Sequence, residues 1–257
     1  MRPNLTKKKL REGQCVFGVF IPMAAPRLVE WAGLAGFDYV LIDAEHGPIE
    51  PAACEDLVRA AEAMNLTPLV RVPENNDKLI LRYLDVGVQG IMVPQVNTVE
   101  DAERAVQAVK YAPRGRRGLA GSRAASYGYR TSLSDYTRRA NDETMILVQI
   151  ENIDAVKALD GIMGVDGIDV FELGQADLSQ SMGYPGETGH PEVLAAIETI
   201  VSRVLGAGKI IGDTTNDPKA AAGCLKRGYR MLDCSLTGLA IRALASMGDA
   251  MRESVPH

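Results

Sequence analysis

Histidine is scarce in this chain. It occurs three times in 257 residues, at His46, His190 and His257, and aromatic side chains make up only 5% of the whole. Any imidazole chemistry therefore has few candidates. No stretch approaches the ~18 apolar residues of a membrane span, and MRPNLTKKKLREG at the start has no signal-like apolar run. No membrane partner is expected. Cys15, Cys54, Cys224 and Cys234 lack C-x-x-C spacing, which argues against a structural zinc site or a disulfide framework, and they read as reduced thiols of a cytoplasmic protein. The net charge is −5 and the basic residues are scattered, so no nucleic-acid partner is expected. The one basic cluster, Lys7-Lys8-Lys9, reads as a solvated arm. Lysine is also missing from the ends of the apolar runs. Lys209 begins one, while Lys78, Lys110, Lys157, Lys219 and Lys226 fall in helix-period segments, mostly at amphipathic surface spacing, so no imine-forming lysine stands out.

What is present is alternation. Short apolar runs at 15–21, 39–43, 68–72, 90–94, 145–150, 169–174, 209–213 and 229–234 are each followed by a helix-period segment. Pro51, Pro191 and Pro218 stand near first turns; Gly36, Gly87, Gly208 and Gly228 follow last turns. Eight βα units without a composition break predict an α/β fold, a single (β/α)8 barrel domain over 1–257. An open doubly wound sheet would want G-x-G-x-x-G after its first strand, where this chain has GVFIPMAAP. An insertion over 112–143, rich in glycine, arginine and tyrosine, predicts an extended loop and a short helix; loops of this length are usually functional or lie at an interface.

Barrel enzymes carry their active residues at the C-terminal ends of the strands. Those ends here hold Asp43, Glu45 and His46; Arg71; Gln149 and Glu151; Gly174, Gln175, Ala176 and Asp177; Asp213 and Thr214; and Asp233 and Ser235. Glu151 and Asp177, from neighbouring strand ends, would repel one another unless a proton or cation lay between them. All-oxygen donors with open positions suit Mg²⁺ or Mn²⁺; the bland alternative is that Glu151 caps a helix and Asp177 a turn. His46 is either a surface histidine or a proton-transfer group whose ring Asp43 orients. Asp85, closing a helical segment, is either a further acid near it or a surface group. Arg71 suits a carboxylate or a developing enolate, or else makes a structural ion pair with Asp43 or Glu45. His190 reads as a turn residue and His257 as part of a tail.

The stretches DAEHG, PLVRVP, LDVGVQGIMVPQV, APRGRRG, VQIEN, ADLSQSMGYPG and HPEV, in this order and spacing from about residue 15 to residue 240, resemble the HpcH/HpaI family of class II pyruvate aldolases. The resemblance implies a phosphoenolpyruvate/pyruvate-type (β/α)8 barrel and a homo-oligomer, a hexamer or trimer, with the last helix exchanged between neighbours. It implies a divalent metal (Mg²⁺ or Mn²⁺, with Co²⁺ admissible) on Glu151 and Asp177. It implies Arg71 on the pyruvate or enolate oxygen, His46 with Asp43 and Asp85 in proton transfer, Gln149 lining the site, and the backbone of Gly174, Gln175, Ala176 and Asp177 around the pyruvate carboxylate. The implied partners are a small 2-oxoacid and an aldehyde: a 4-hydroxy-2-oxoacid is cleaved to pyruvate and an aldehyde through an enolate. Alternatives on the same site are decarboxylation of oxaloacetate or another β-keto acid, acyl-CoA lyase activity, and a non-catalytic oxoacid-binding barrel.

Two departures stand out. Gln175 replaces the family's usual proline, restoring an N–H and adding a side-chain donor, and Glu172 places a charge where an apolar residue is usual. The GDTTND stretch after the seventh apolar run is also unusually acidic.

Overall fold

The computed structural model describes residues 1–129 and 131–255. His257 lies outside them. Among these residues eight parallel strands close in sequence order: β1 (Val16–Ile21), β2 (Tyr39–Asp43), β3 (Thr67–Arg71), β4 (Gly90–Val93), β5 (Met145–Ile150), β6 (Val170–Leu173), β7 (Ile211–Thr214) and β8 (Met231–Ser235). The last strand pairs with the first through Val16↔Met231 to Phe20↔Ser235, which completes the expected (β/α)8 barrel.

Eleven α-helices accompany the strands: α1 (Leu5–Arg11), α2 (Pro26–Leu34), α3 (Pro51–Ala63), α4 (Asp77–Val86), α5 (Val99–Val109), α6 (Leu133–Glu143), α7 (Ile153–Met163), α8 (Gln175–Ser181), α9 (Pro191–Gly206), α10 (Pro218–Arg227) and α11 (Leu236–Glu253). Proline stands in the first turn of α2, α3, α9 and α10, where its missing N–H is no loss. Gly87 and Gly228 end α4 and α10 in the left-handed region that glycine alone adopts without strain.

Strand side chains alternate between two cores. Tyr39, Leu41, Leu69, Met92, Leu147, Val170 and Met231 fill the barrel, while Val40, Ile42, Val70, Ile91, Val148 and Phe171 face the helices. Strands buried on both faces explain the continuous apolar runs. Size alternation is needed inside: Gly18 leaves its inward position to the ring of Tyr39, which a Cβ there would meet at 2.1 Å.

The bottom of the barrel corrects two sequence expectations. The KKK arm is the helix α1, capped by Asn4 and seated across the N-terminal strand ends. Lys7 is buried, with its Nζ 3.0 Å from both the Asp169 carboxylate and the Thr144 carbonyl, and Lys9 pairs with Asp38. Only Lys8 behaves as a solvated residue. Lys110, read as a surface lysine, is 1% exposed and donates to the carbonyls of Asn141 and Thr144. Burial, then repulsion from Lys7, pushes its pKa down to about 7. The insertion forms a 3-10 segment (Arg123–Gly128) and α6 on the same lower rim, where Arg123 bonds Glu62 and the Val86 carbonyl. It lies at the end of the barrel opposite the strand C-termini.

Because the folded state holds a Lys110 proton less tightly than the unfolded chain, stability should rise with pH from about 7 towards the ordinary lysine value. Between pH 7 and pH 9 the gain is on the order of 2 kcal/mol. Because other buried groups titrate as well, the test is the difference between proteins: the stability of the wild type relative to Lys110→Met, from urea unfolding, should grow by this amount from pH 7 to pH 9.

Candidate active site

The strand C-termini surround a pocket of about 500 Å³ lined by, among others, Asp43, His46, Arg71, Gln149, Glu172 and Asp177. A larger cavity of about 820 Å³ opens at the opposite rim, between Arg59, Glu62, Arg123 and Tyr127. None of the strand-end acids reaches it, so the smaller pocket is the chemical one.

Sheet register builds its first pair. Asp43 and Arg71 are matched positions of β2 and β3, and the guanidinium grips the carboxylate with two bonds, Nε–Oδ1 at 3.0 Å and Nη2–Oδ2 at 2.8 Å. Glu45 Oε2 lies 3.2 Å from the same Nε, and the Arg71 guanidinium carbon stands 4.9 Å from the centre of the Phe20 ring. The sequence-derived role of Asp43 needs correction. Its Oδ1 accepts from the backbone N–H groups of Glu45 and His46, each at 3.2 Å, and so shapes the loop rather than orienting the imidazole. The His46 ring is largely exposed at the pocket rim; its Nε2 is 4.0 Å from Glu45 Oε2.

Glu151 follows β5 directly and is 2% exposed. It is not the cap of α7, a role taken by Asn152. One carboxylate oxygen accepts from the Gln95 backbone N–H at 2.7 Å, the other from Gln149 Nε2 at 3.0 Å. Gln95 holds a positive φ of 52°, a strained backbone that aims this N–H; nothing in the sequence beyond Pro94 before it signals that role. Gly174 is essential to the packing, since a Cβ there would lie 2.4 Å from Glu151 Oε2. Burial, together with the nearby charges of Glu45 and Asp177, pushes the Glu151 pKa up to about 7. Asp177 sits in the first turn of α8. Among the described residues no three acid, histidine or cysteine side chains converge as a ready metal cage. Two carboxylates that repel one another and leave positions open do fit a hard cation completed by water and substrate oxygens.

The far wall is unexpectedly acidic. Glu172 on β6 is buried beside the pocket with neither carboxylate oxygen hydrogen-bonded among the described residues. Burial and the adjacent Asp233 and Asp213 hold it well above the usual carboxylate range. Asp233 accepts from Thr214 Oγ1 at 2.6 Å and Tyr39 Oη at 3.2 Å, and burial raises it to about 7. Asp213, raised by burial to about 6, accepts from Gln175 Nε2 on both oxygens, at 3.0 and 2.9 Å. The Gln175 side chain therefore serves Asp213 rather than the pocket. In the Gly174–Asp177 backbone, the N–H of Gly174 is already engaged by the Ile150 carbonyl at 3.2 Å.

Asp85 is not part of this assembly. It stands at the far end of α4, paired with Arg117 at 2.9 Å. Eight residues of helix at about 1.5 Å each separate it from the end of α4 nearer the pocket.

A closed barrel whose upper rim gathers acids, an arginine and a histidine has the layout of a barrel enzyme's active site. The family model of HpcH/HpaI aldolase/citrate lyase matches residues 16–243. A hydroxypyruvate/pyruvate aldolase of Roseobacter denitrificans is 38% identical over 231 residues, 89% of either chain. A 2-keto-3-deoxy-L-rhamnonate aldolase of Salmonella gallinarum is 38% identical over 88% of this chain and 84% of its own. The crystal structure of an HpcH/HpaI aldolase from Desulfitobacterium hafniense superposes with a TM-score of 0.90 at 31% identity, covering 97% of both chains. The chain belongs to the HpcH/HpaI aldolase/citrate lyase family, and it is a lyase of the class II pyruvate aldolase kind. Class II aldolases of the family depend in general on a metal.

Removing Asp43 strands a part-buried guanidinium and two loop N–H groups. Asp43→Ala should lower unfolding stability by roughly 3 kcal/mol, read by urea titration, with Asp43→Asn less damaging. Gly174→Ala should displace the Glu151 side chain and lower unfolding stability by about 1–3 kcal/mol, read by urea titration, because a Cβ there would lie 2.4 Å from both Glu151 Cβ and Oε2.

Proposed function

We propose that the pocket catalyses reversible cleavage of a 4-hydroxy-2-oxoacid to pyruvate and an aldehyde, and that Glu151 and Asp177 hold a divalent cation, Mg²⁺ or Mn²⁺. The observation that carries the reading is the buried Glu151, flanked by Glu45 and Asp177 and raised to about 7. A carboxylate so placed is ionised most readily when positive charge is bound to it. The cation would supply Lewis acidity at the keto oxygen of the bound oxoacid.

The chain's own groups do the rest. Arg71 is held by Asp43 and Glu45 through Nε and Nη2, which leaves Nη1 to donate to the oxoacid oxygen on which charge develops. The restored N–H of Gln175 and those of Ala176 and Asp177 face no side-chain cap and serve the pyruvate carboxylate. Gln149 fixes Glu151 from the side. His46, exposed at the rim, accepts the proton of the 4-hydroxyl. The C3–C4 bond then breaks, its electron pair becomes the enolate of pyruvate, the aldehyde leaves, and a proton returned to C3 completes pyruvate.

We further infer a homo-oligomer. None of the described residues of α11 is buried, and Ile241, Leu244, Met247 and Met251 are all exposed on it. An 18-residue helix with so much apolar surface is suited to covering a neighbouring copy. A second copy is also the one source of an Asp85 near His46.

With Mn²⁺ present, pyruvate release from a panel of 4-hydroxy-2-oxoacids should fall at least a thousandfold in a Glu151→Ala/Asp177→Ala double variant. His46→Ala should lose about 10²- to 10⁴-fold while still binding Mn²⁺ by calorimetry. Full metal-dependent turnover in the double variant would overturn the assignment.

A further inference from the structure

Glu172 occupies a niche made for it. Its register partner on β7 is Gly212, where a Cβ would fall 1.9 Å from Glu172 Oε2. The side chain is 2% exposed, it borders the pocket, and both of its oxygens lack a hydrogen-bond partner among the described residues. A buried carboxyl without a hydrogen-bond partner is destabilising unless something in its working state meets it. No hydrogen-bond donor among the described residues does so. Arg71, the guanidinium on the pocket wall, acts on Glu172 through space but makes no hydrogen bond to it, its Nε and Nη2 being held by Asp43 and Glu45.

The neighbours sharpen the requirement. Asp233 and Asp213 add two more carboxyl groups beside Glu172. Their oxygens already accept from Thr214, Tyr39 and Gln175, so they contribute potential rather than free lone pairs pointing at one centre. That arrangement does not suit a second metal ion, and no metal-type cluster occurs there among the described residues. By themselves, burial and mutual repulsion favour the protonated form of these carboxyl groups; an apolar group would leave them so, and a second anionic group on the substrate would be repelled by any that ionised. A compact cation that itself donates hydrogen bonds answers both the potential and the two free oxygens of Glu172.

We propose that Glu172, backed by Asp213 and Asp233, is a specificity subsite for a primary ammonium group on the aldehyde-derived half of the substrate. This rests on the aldolase reading of the pocket and narrows it: the aldehyde released or taken up is an aminoaldehyde. The subsite lies on β6 to β8, beside the Glu151–Asp177 pair, so one substrate spans both. Its oxoacid end goes to the cation site, Arg71 and the Gln175–Asp177 backbone, its ammonium end to Glu172.

The test uses the Mn²⁺-loaded enzyme with pyruvate and two acceptors of equal length, 3-aminopropanal and 3-hydroxypropanal. The expected kcat/KM ratio favours the amine at least tenfold in the wild type, falls to about one in Glu172→Gln, and falls part of the way in Asp213→Asn. Propylammonium chloride should bind the wild type by calorimetry and compete with the acceptor, whereas propanol should not; this arm needs no variant to fold. Deuterium exchange at C3 of pyruvate, run without any acceptor, tests the aldolase reading alone. Exchange without amine preference and without propylammonium binding overturns the subsite and leaves the aldolase standing. Propylammonium binding without exchange supports the subsite and overturns the aldolase.

Discussion

Carboxyl groups crowded into the dry mouth of a barrel repel one another, and the upper half of this molecule is organised around relieving that repulsion. Arg71 answers Asp43 and Glu45 through contacts fixed by the register of β2 and β3. Gln149 and the strained backbone at Gln95 answer Glu151 with neutral donors only, which leaves its charge unbalanced. In low dielectric that imbalance is large, and it is relieved by a proton, which the raised Glu151 pKa reflects, or by the cation proposed above on Glu151 and Asp177.

The two halves of the mouth meet it differently. On the β2–β5 side, Asp43 and Glu45 are paired with Arg71, and Glu151 receives two neutral donors. On the β6–β8 side, Asp213 and Asp233 receive neutral donors and Glu172 receives none. Gly18 and Gly212 show that this inner polar layer is packed as deliberately as the apolar one beneath it: each omits a side chain so that Tyr39 or Glu172 can occupy the space. Tyr39 then carries its hydroxyl from the apolar layer to Asp233.

The lower end is closed by different means. The helix α1 spans the N-terminal strand ends with Asn4, Thr6 and Lys7, and the insertion packs beside it through Arg117 and Arg123. Stability devices thus gather at one end and reactive groups at the other. A barrel permits that division because its two rims share the core but no side chains.

The primary sequence determined the alternation of eight apolar runs with eight helical segments. Periodicity is local, so β2 and β5 could be read to the residue. The family motifs likewise exposed Asp43, His46, Arg71, Glu151 and Asp177 as rim residues, because a motif records which residue follows which strand. What each side chain touches was decided only by the tertiary structure. Asp43 turns to the backbone and Arg71, Asp85 falls at the wrong end of its helix, and Lys7 and Lys110 vanish into a floor built from segments more than a hundred residues apart. Burial and partnership arise from chain closure, and closure is a property of the whole barrel that no local window of sequence contains.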